Sequence, residues 1–510
     1  MSTSASVVRL PELPPAVRAA GRFVVISDRL PIDLTHDRGQ GWRVSPSGGA
    51  LVSALTPVLR ERHGVWIGWP GAAAEEVPGL RQVLAGAIQE GGFSLRPVSL
   101  TAQERRLGYG GFAGQVLWPL FHELPLQCGF SPAHWQAFLK VNRKFARAAA
   151  RTLARGGAGE DFVWVHDPLL MNLAAELRRM GIPCRSAFFL HLPFPTPDLF
   201  LRLPWRDRLL AGLLAFDQVG FQTERDLENF LACVRMLTRP QLQGSLGDGL
   251  WALAGRGSGG AYDLRAGAFP IGVDARQIER QAARPEVEAR MADLRAALRG
   301  RQLVIGVDRI DRAQGIPEKL RVFAEALARY PELKERVTLV QVAIPDREGL
   351  PQPAELRAEI ERLVGELNGC FGKPGWVPVH YLHRKLAPEE LLAHYRLADV
   401  ALVTPLKAGM HLGAKEYCAA NLEERGALVL SEFAGAAQQL AAGALLVNPF
   451  DCQGVARVLC RALRMRGRDR VGRMRRLRTE VRSHDASWWA RSFLASALAG
   501  TAAAPAAGIS

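Results

Sequence analysis

Four arginines stand just after short apolar runs. They are Arg29 in FVVISDRLP, Arg309 and Arg312 in VDRIDRAQGIP, and Arg347 in AIPDREG. A guanidinium placed there, beside a glycine and a helix start, suits an anion, because a helix N-terminus adds its own positive field. TPLKAGMHLGAKEY (404–417) runs from an apolar segment through a glycine loop into a helical pattern. Free backbone N–H groups at Gly409, Met410, His411 and Leu412 could hold a diphosphate there. Glu416 could accept hydrogen bonds from a ribose diol, and an exposed helix carboxylate is the plainer alternative. Gly48 and Gly49 in SGGAL would let a backbone approach a phosphate or sugar closely. Asp167 closes WVHD, and His191 lies in FFLHLPFP before a proline-fixed loop. A histidine in an apolar run is ordinarily a satisfied core residue, but its place at a strand end favours a site. These residue types suit phosphorylated small molecules, and a chain this basic could equally bind nucleic acid or an anionic membrane. No DxD, HExxH, Walker GxxxxGK[ST] or GxSxG occurs, so no metal site, phosphate-binding loop of that type or serine elbow is expected.

The elements that must carry these residues are repeated βα units. FVVIS, GVWIGW, DFVWVHD, SAFFLHLPFP and QVGFQT read as strands, several followed by helical patterns. The pattern restarts near residue 302 with QLVIGVDRID, RVTLVQVAIP, DVALVTP, GALVLSEF and ALLVNPF. Such a series implies parallel sheets covered by helices, with ligands beyond the carboxyl ends of the strands. The fold class is therefore α/β, with two doubly wound halves meeting near residue 274. The glycine-rich stretch 240–262 reads as a loop or irregular hairpin. YGGFAGQVLWPLFH (109–122) is aromatic and glycine-rich, with neither strand nor helix period.

The chain has 510 residues, 48% hydrophobic and 23% charged, and a mean hydropathy near zero. That composition excludes global disorder and allows two or more cores. No run of 18 apolar residues appears, and the N-terminus lacks a secretory pattern. Seven scattered cysteines without a CxxC pair argue against a disulfide framework or zinc and for a reduced cytoplasm. The net charge of +15 comes mostly from arginine. The densest stretch, Arg461 to Arg482, holds ten arginines around Leu463, Leu477 and Val481 at roughly helical spacing. A solvated helix face is the first reading and a phosphate or nucleic-acid surface the second.

Together the motifs resemble the trehalose-6-phosphate synthase family of retaining glycosyltransferases. VVISDRLP, WIGWPG, GFAGQVLWPLFH, VNRKFA, WVHD, FFLHLPFP, GFQT, FPIGVD, VDRID, LNG, LVTPL, GMHLGAKEY, LSEFAGAA and LLVNPFD match in order, over roughly residues 22–500. The resemblance implies a GT-B fold: two Rossmann-like domains facing across a cleft, with a C-terminal helix crossing back. The expected division is an extension at 1–22, an acceptor domain at 23–273 and a nucleotide-sugar domain at 274–485. A crossover helix at 486–500 and a disordered tail at 501–510 complete it. The implied partners are a nucleotide sugar and a sugar phosphate, with no nucleic acid and no membrane. A homo-oligomer is left open. No cofactor or metal is implied. The mechanism thought to operate is front-face, with the leaving diphosphate helping to deprotonate the acceptor.

Carried over by motif, Arg29 and Arg347 would grip the acceptor phosphate, with Tyr109 and Trp118 lining that pocket and Asp167 binding an acceptor hydroxyl. His191 would touch the donor sugar near the reacting centre, and Arg309 would hold the diphosphate. Asp167, His191 and Arg309 are thus the expected catalytic set. Glu416 would bind the ribose. Gly48, Gly49, Arg312, Gln314, Gly409, Met410, His411, Leu412 and Lys415 would complete the donor side.

The departures fall mainly on the donor side. The family's DYxKG loop is DRAQG here, so Gln314 replaces a lysine and Arg312 a tyrosine. Losing that lysine should cost on the order of 2–4 kcal/mol of transition-state stabilisation, unless Arg312 substitutes. DGMN is AGMH, with Ala408 and His411; HDYHLM is HDPLLM, and YNGF is YGGF. These changes keep two alternatives open: a pseudo-glycosyltransferase coupling a cyclitol nucleotide to an amino-cyclitol phosphate, or a catalytically weak sugar-phosphate-binding paralogue.

Overall fold

The computed structural model describes residues 21–37, 41–47, 49–72, 92–153, 161–247, 249–345 and 354–499. Strand β1 (Phe23–Arg29) is buried along its apolar stretch, as a strand covered on both faces must be. β2 (Ile32–Asp37) and β3 (Gly41–Pro46) form a separate antiparallel hairpin. β4 (Val65–Trp69), β5 (Ser94–Pro97), β6 (Phe162–His166), β7 (Arg185–Phe189) and β8 (Gln218–Phe221) extend β1 in parallel. β9 (Arg239–Gly247), β10 (Leu250–Gly257) and β11 (Gly260–Ala268) add an antiparallel meander, with β11 parallel to β8. The strand order is β5-β4-β1-β6-β7-β8-β11-β10-β9.

The second sheet is all parallel. Its strands are β12 (Gln302–Arg309), β13 (Val337–Ile344), β14 (Val379–Leu382), β15 (Val400–Val403), β16 (Ala427–Ser431) and β17 (Leu445–Val447). They lie in the order β14-β13-β12-β15-β16-β17. The helices used below are α1 (Ala50–Glu61), α2 (Pro132–Leu153), α3 (Ile316–Arg329), α4 (Ala354–Phe371) and α5 (Leu412–Ala420). They are followed by α6 (Cys452–Arg464), α7 (Gly467–Ser483) and α8 (Ala486–Leu498).

The chain leaves the first sheet after Ala268 and returns to it between α7 and α8. These two passages touch. The Ala486 N–H donates to the Val273 carbonyl at 3.2 Å, and a Cβ on Gly272 would stand 2.2 Å from the His484 carbonyl oxygen. Helix α8 then packs across β1, β6 and β7. Trp489 and Phe493 are fully buried, with rings 5.2 and 4.7 Å from Trp164. Two arginines from the first sheet close its C-terminal end. Arg185 donates to the carbonyls of Ala497 and Leu498, and Arg265 to those of Ser496 and Ala499. Cations there satisfy orphan carbonyls and complement the helix dipole.

Three segments bear on the sequence expectation, and the last agrees with it. The stretch 240–262, expected as a loop or irregular hairpin, falls within the antiparallel strands β9, β10 and β11, which is the hairpin alternative. Their outer edge is largely exposed, and they carry the positive-φ glycines 247, 249 and 260 at their ends, which gave the stretch its loop-like composition. YGGFAGQVLWPLFH is helical: π-type turns over Arg105–Leu117 pass into an α turn at Trp118–Phe121. The wider turn matches no 3.6-residue period. Glycine suits this packing, since a Cβ on Gly111 would lie 2.5 Å from the His134 ring of α2. The arginine-rich stretch is two helices broken near Gly467 (φ +64°). Leu463, Leu477 and Val481 are buried, while Arg473, Arg475 and Arg482 pair with Asp469, Glu424 and Glu279. Arg478 is buried on the Cys418 and Ala419 carbonyls. This is the ion-paired helix face of the first reading. The stretch 501–510 and residues 1–20 lie outside the described residues.

Trp489→Ala should destabilise the protein by about 3–5 kcal/mol, the range for emptying a buried aromatic site. Urea unfolding followed by circular dichroism measures it. A loss below about 1 kcal/mol would show that α8 does not hold the first half.

Candidate functional site

A cleft of about 1270 Å³ lies between the two sheets, lined from both sides. From the first half come the ends of β1, β6 and β7 and the π-helical segment. From the second come the end of β12, the loop before α5 and the start of α4. This is where strand ends should place a ligand.

Arg29, Tyr109, Trp118, Asp167, His191, Arg309, Arg312, Gln314, Gly409, Met410, His411, Leu412 and Glu416 all line it, as do Gly49 and Ala408. Gly48 and Arg347 lie outside the described residues. Lys415 does not face the cleft. Its ammonium is buried, donating to the Ile271 carbonyl at 2.5 Å and to Gln439. The expectation of a donor contact is thereby corrected: one position before Glu416 on the helix is a different face. Burial lowers the Lys415 ammonium to about 7.

At the β1 end, the Trp66 indole donates to the Ser27 hydroxyl at 2.7 Å, and that hydroxyl donates to the Arg29 carbonyl at 2.5 Å. This shapes the turn that presents Arg29, whose guanidinium lies 5.3 Å from the Trp69 ring centre. Asp167 adopts φ +73°, a costly conformation for a non-glycine residue that tends to gather at functional sites. Its carboxylate accepts the Asp28 N–H at 3.0 Å, linking the ends of β1 and β6.

His191 is buried on the other side of the same edge. Its Nε2 lies 3.2 Å from His166 Nδ1 and its Nδ1 lies 3.3 Å from Met410 Sδ. Burial lowers His191 to about 3 and drives His166 well below its usual range. His191 is thus both a core histidine and a cleft residue. His166 stood beside Asp167 in WVHD, and nothing in the spacing alone distinguished it.

The second half contributes charge. Arg309 sits over the Trp118 ring at 5.8 Å, bridging the cleft. Its neighbour Asp308 is buried in a pair with Lys319 of α3 at 2.5 Å, and accepts Gln341 Nε2 at 2.8 Å. Burial alone would raise that carboxyl, but Lys319 chiefly brings it down to about 2. Glu416 is held above the usual carboxylate range by burial, so it is a cleft-floor residue rather than an exposed helix glutamate. His411 takes the left-handed conformation (φ +59°) at the start of α5, which turns the helix N-terminus toward the cleft. Lys407 and Glu123 form an ion pair at 2.6 Å between the halves.

Arg312 lines the cleft, but its guanidinium is engaged. It donates to Glu359 of α4 at 2.7 Å, with Glu318 at 3.9 Å. Without a ligand the guanidinium is thus directed to carboxylates, and those acidic partners on α3 and α4 were invisible in the DRAQG loop itself. Among the described residues, no three His, Cys, Asp or Glu side chains gather as a metal ion would need. No described helix is long and apolar enough to cross a membrane.

Residues 21–499 match the sequence profile of glycosyltransferase family 20. The chain is 41% identical over 488 residues to the trehalose-6-phosphate synthase of Mycolicibacterium gilvum (strain PYR-GCK), spanning 95% of this chain and 94% of that one. Among solved structures, the α,α-trehalose-phosphate synthase (UDP-forming) from Burkholderia xenovorans in complex with glucose-6-phosphate is similar with a TM-score of 0.82 and 32% identity. It covers 94% of this chain and 100% of that one. The structure described as trehalose-6-phosphate from E. coli bound with UDP-2-fluoro glucose gives a TM-score of 0.83 at 33% identity, covering 94% and 99%.

Replacing each cleft arginine should separate their roles. Arg309→Ala should weaken nucleoside diphosphate binding about tenfold or more, in the range of a lost charge-assisted contact. Arg312→Ala should change it by about twofold or less, because that guanidinium already belongs to Glu359. Isothermal titration with UDP measures both, and equal losses would place Arg312 on the ligand.

Proposed function

The chain belongs to glycosyltransferase family 20 and is a glycosyltransferase of the GT-B fold, and we propose that it moves glucose, with retention, from a nucleoside diphosphate to glucose 6-phosphate. One observation carries this reading. Arg309, expected on the donor diphosphate, stacks on Trp118, expected in the acceptor wall, within a single cleft. The two substrates would therefore meet at the seam between the sheets. The relatives named above carry the names of enzymes of this reaction and support the glucosyl reading rather than the cyclitol one.

In this reading the first half holds the acceptor. Arg29 faces its phosphate, with Arg347 expected beside it, and Tyr109 and Trp118 form the wall. Asp167 accepts a hydroxyl, its carboxylate oriented by the Asp28 N–H. The second half holds the donor. Arg309 and the N–H groups at the start of α5 face the diphosphate, and Glu416 takes the ribose. No metal or other cofactor enters this scheme. The bond from the sugar C1 to the diphosphate oxygen breaks, and its electron pair leaves with the diphosphate. The acceptor oxygen bonds to C1 from the same face, and its proton passes to a diphosphate oxygen. The protein supplies positioning and electrostatic stabilisation, with no nucleophile of its own. We place the protein in the cytoplasm, consistent with seven unpaired thiols.

The test is a screen of UDP-, GDP- and ADP-glucose with glucose 6-phosphate, reading nucleoside diphosphate release and product mass. A disaccharide phosphate from one of them is the expected outcome. Nucleotide binding without release from any donor would overturn the glucosyl reading. In the active combination, Gln314→Lys should raise kcat about tenfold or more by restoring a cation at the leaving group. An unchanged kcat would show that the cleft no longer depends on charge at that position.

A further inference from the structure

His166 and His191 share one short contact, and counting protons across it fixes the state of both rings. Burial keeps both imidazoles neutral, so the pair carries two ring protons over four nitrogens. His166 Nδ1 faces His191 Nε2 at 3.2 Å. The outer nitrogen of His191, Nδ1, faces Met410 Sδ at 3.3 Å. The outer nitrogen of His166, Nε2, is buried without a partner.

Two arrangements are possible. If His191 Nε2 carries the proton, it donates to His166. The His166 proton must then sit on Nε2, a buried N–H with no acceptor, and His191 Nδ1 turns a lone pair on the lone pairs of sulfur. If His166 Nδ1 carries the proton, it donates to His191 Nε2. The His191 proton then sits on Nδ1 and donates to Met410 Sδ, leaving only a bare nitrogen at His166 Nε2. The second arrangement makes two hydrogen bonds instead of one. It also avoids an orphaned buried donor, which folded proteins tolerate less readily than an orphaned acceptor.

We propose that His166 is a positioning residue that holds His191 as the Nδ1–H tautomer, so that His191 presents a hydrogen-bond donor, and no acceptor, at the seam between the two halves. The family resemblance implies a place for His191 at the donor sugar, so this inference rests on the function proposed above. On donor binding that Nδ1–H would pass from Met410 Sδ to a hydroxyl oxygen of the sugar, in an environment whose low polarity strengthens it. The rings are fixed from behind. Trp489 of α8 lies 6.2 Å from both His166 and His191, and Phe189 lies 4.8 Å from His191. Helix α8 therefore reaches the cleft through this pair without touching a ligand.

Nitrogen-15 NMR of histidine-labelled full-length protein reads the tautomer directly and needs no activity. The expected wild-type result is a protonated Nδ1 and a bare, accepting Nε2 on His191. A protonated Nε2 would overturn the proposal. His166→Asn keeps a side-chain N–H near the position of Nδ1, whereas His166→Leu removes it. The Asn variant should keep the His191 tautomer and hold donor KM and kcat within about threefold. The Leu variant should lose the tautomer, with kcat/KM for the donor sugar nucleotide falling about tenfold or more while acceptor KM stays unchanged. Leu and Asn variants with equal kinetics and an unchanged tautomer would overturn it. If the Leu variant does not fold, the wild-type spectrum and the Asn variant still decide. If wild-type protein transfers no sugar, the function proposed above fails while the spectrum still tests the tautomer.

Discussion

The cleft depends on a contact between two pieces of backbone. Gly409, in the loop before α5, lies so close to the opposite half that a Cβ would stand 2.3 Å from the His191 carbonyl oxygen. Behind it, a Cβ on Gly435 would stand 1.6 Å from the Gly409 carbonyl oxygen. Three layers of main chain are stacked there with no room for a side chain. That approach brings Met410 onto His191 and sets the start of α5 facing the ends of β6 and β7. The Lys407–Glu123 pair lies two residues away in sequence and holds the same loop from its other side. A side chain at 409 would separate the halves, and every cleft distance that spans them would lengthen together.

Charge around that contact is unevenly distributed. Gln314 is neutral where the resembling family carries a lysine, and Arg312 is drawn off by Glu359. Glu355 and Glu359 themselves line the second half of the cleft. Arg309 and Arg312 both line the cleft, but Arg312 is paired with Glu359 while Arg309 lies over Trp118, which couples it to the first half. Underneath, the buried Asp308–Lys319 pair contributes more to orientation than to stability, since removing two charges from water offsets most of their attraction. Asp308 precedes Arg309 on β12, so its anchoring sets where the arginine leaves the strand.

Much of this was legible in the sequence, and the exceptions have separate physical causes. Arg29, Asp167, His191 and Arg309 could be placed because each follows a buried apolar run, and a parallel strand delivers its next residue to the ligand edge. The division near residue 274 was read from a βα rhythm that restarts at residue 302, and the chain leaves the first sheet after Ala268. The meander at 239–268 was legible only as a loop or irregular hairpin, since its exposed edge carries too few apolar residues to alternate clearly. The π-helical segment was missed because its period is not among those a pattern search applies. Lys415 shows a different limit: adjacency to Glu416 in sequence says nothing about which side of a helix turn a residue occupies. Arg312 and His166 show another, because their roles are set by Glu359 and by a second histidine, partners that only the fold brings near.

The two chain crossings between the halves have a mechanical meaning. They touch at Gly272 and His484, so the halves are joined at what amounts to a single pivot rather than at two separated struts. Two passages of chain in contact constrain the halves less than two set apart would, so the rest of the seam depends on the loop at Gly409 and on the Lys407–Glu123 pair. Because α8 leaves the pivot and ends on the first sheet, it moves with that half although it follows the second in sequence.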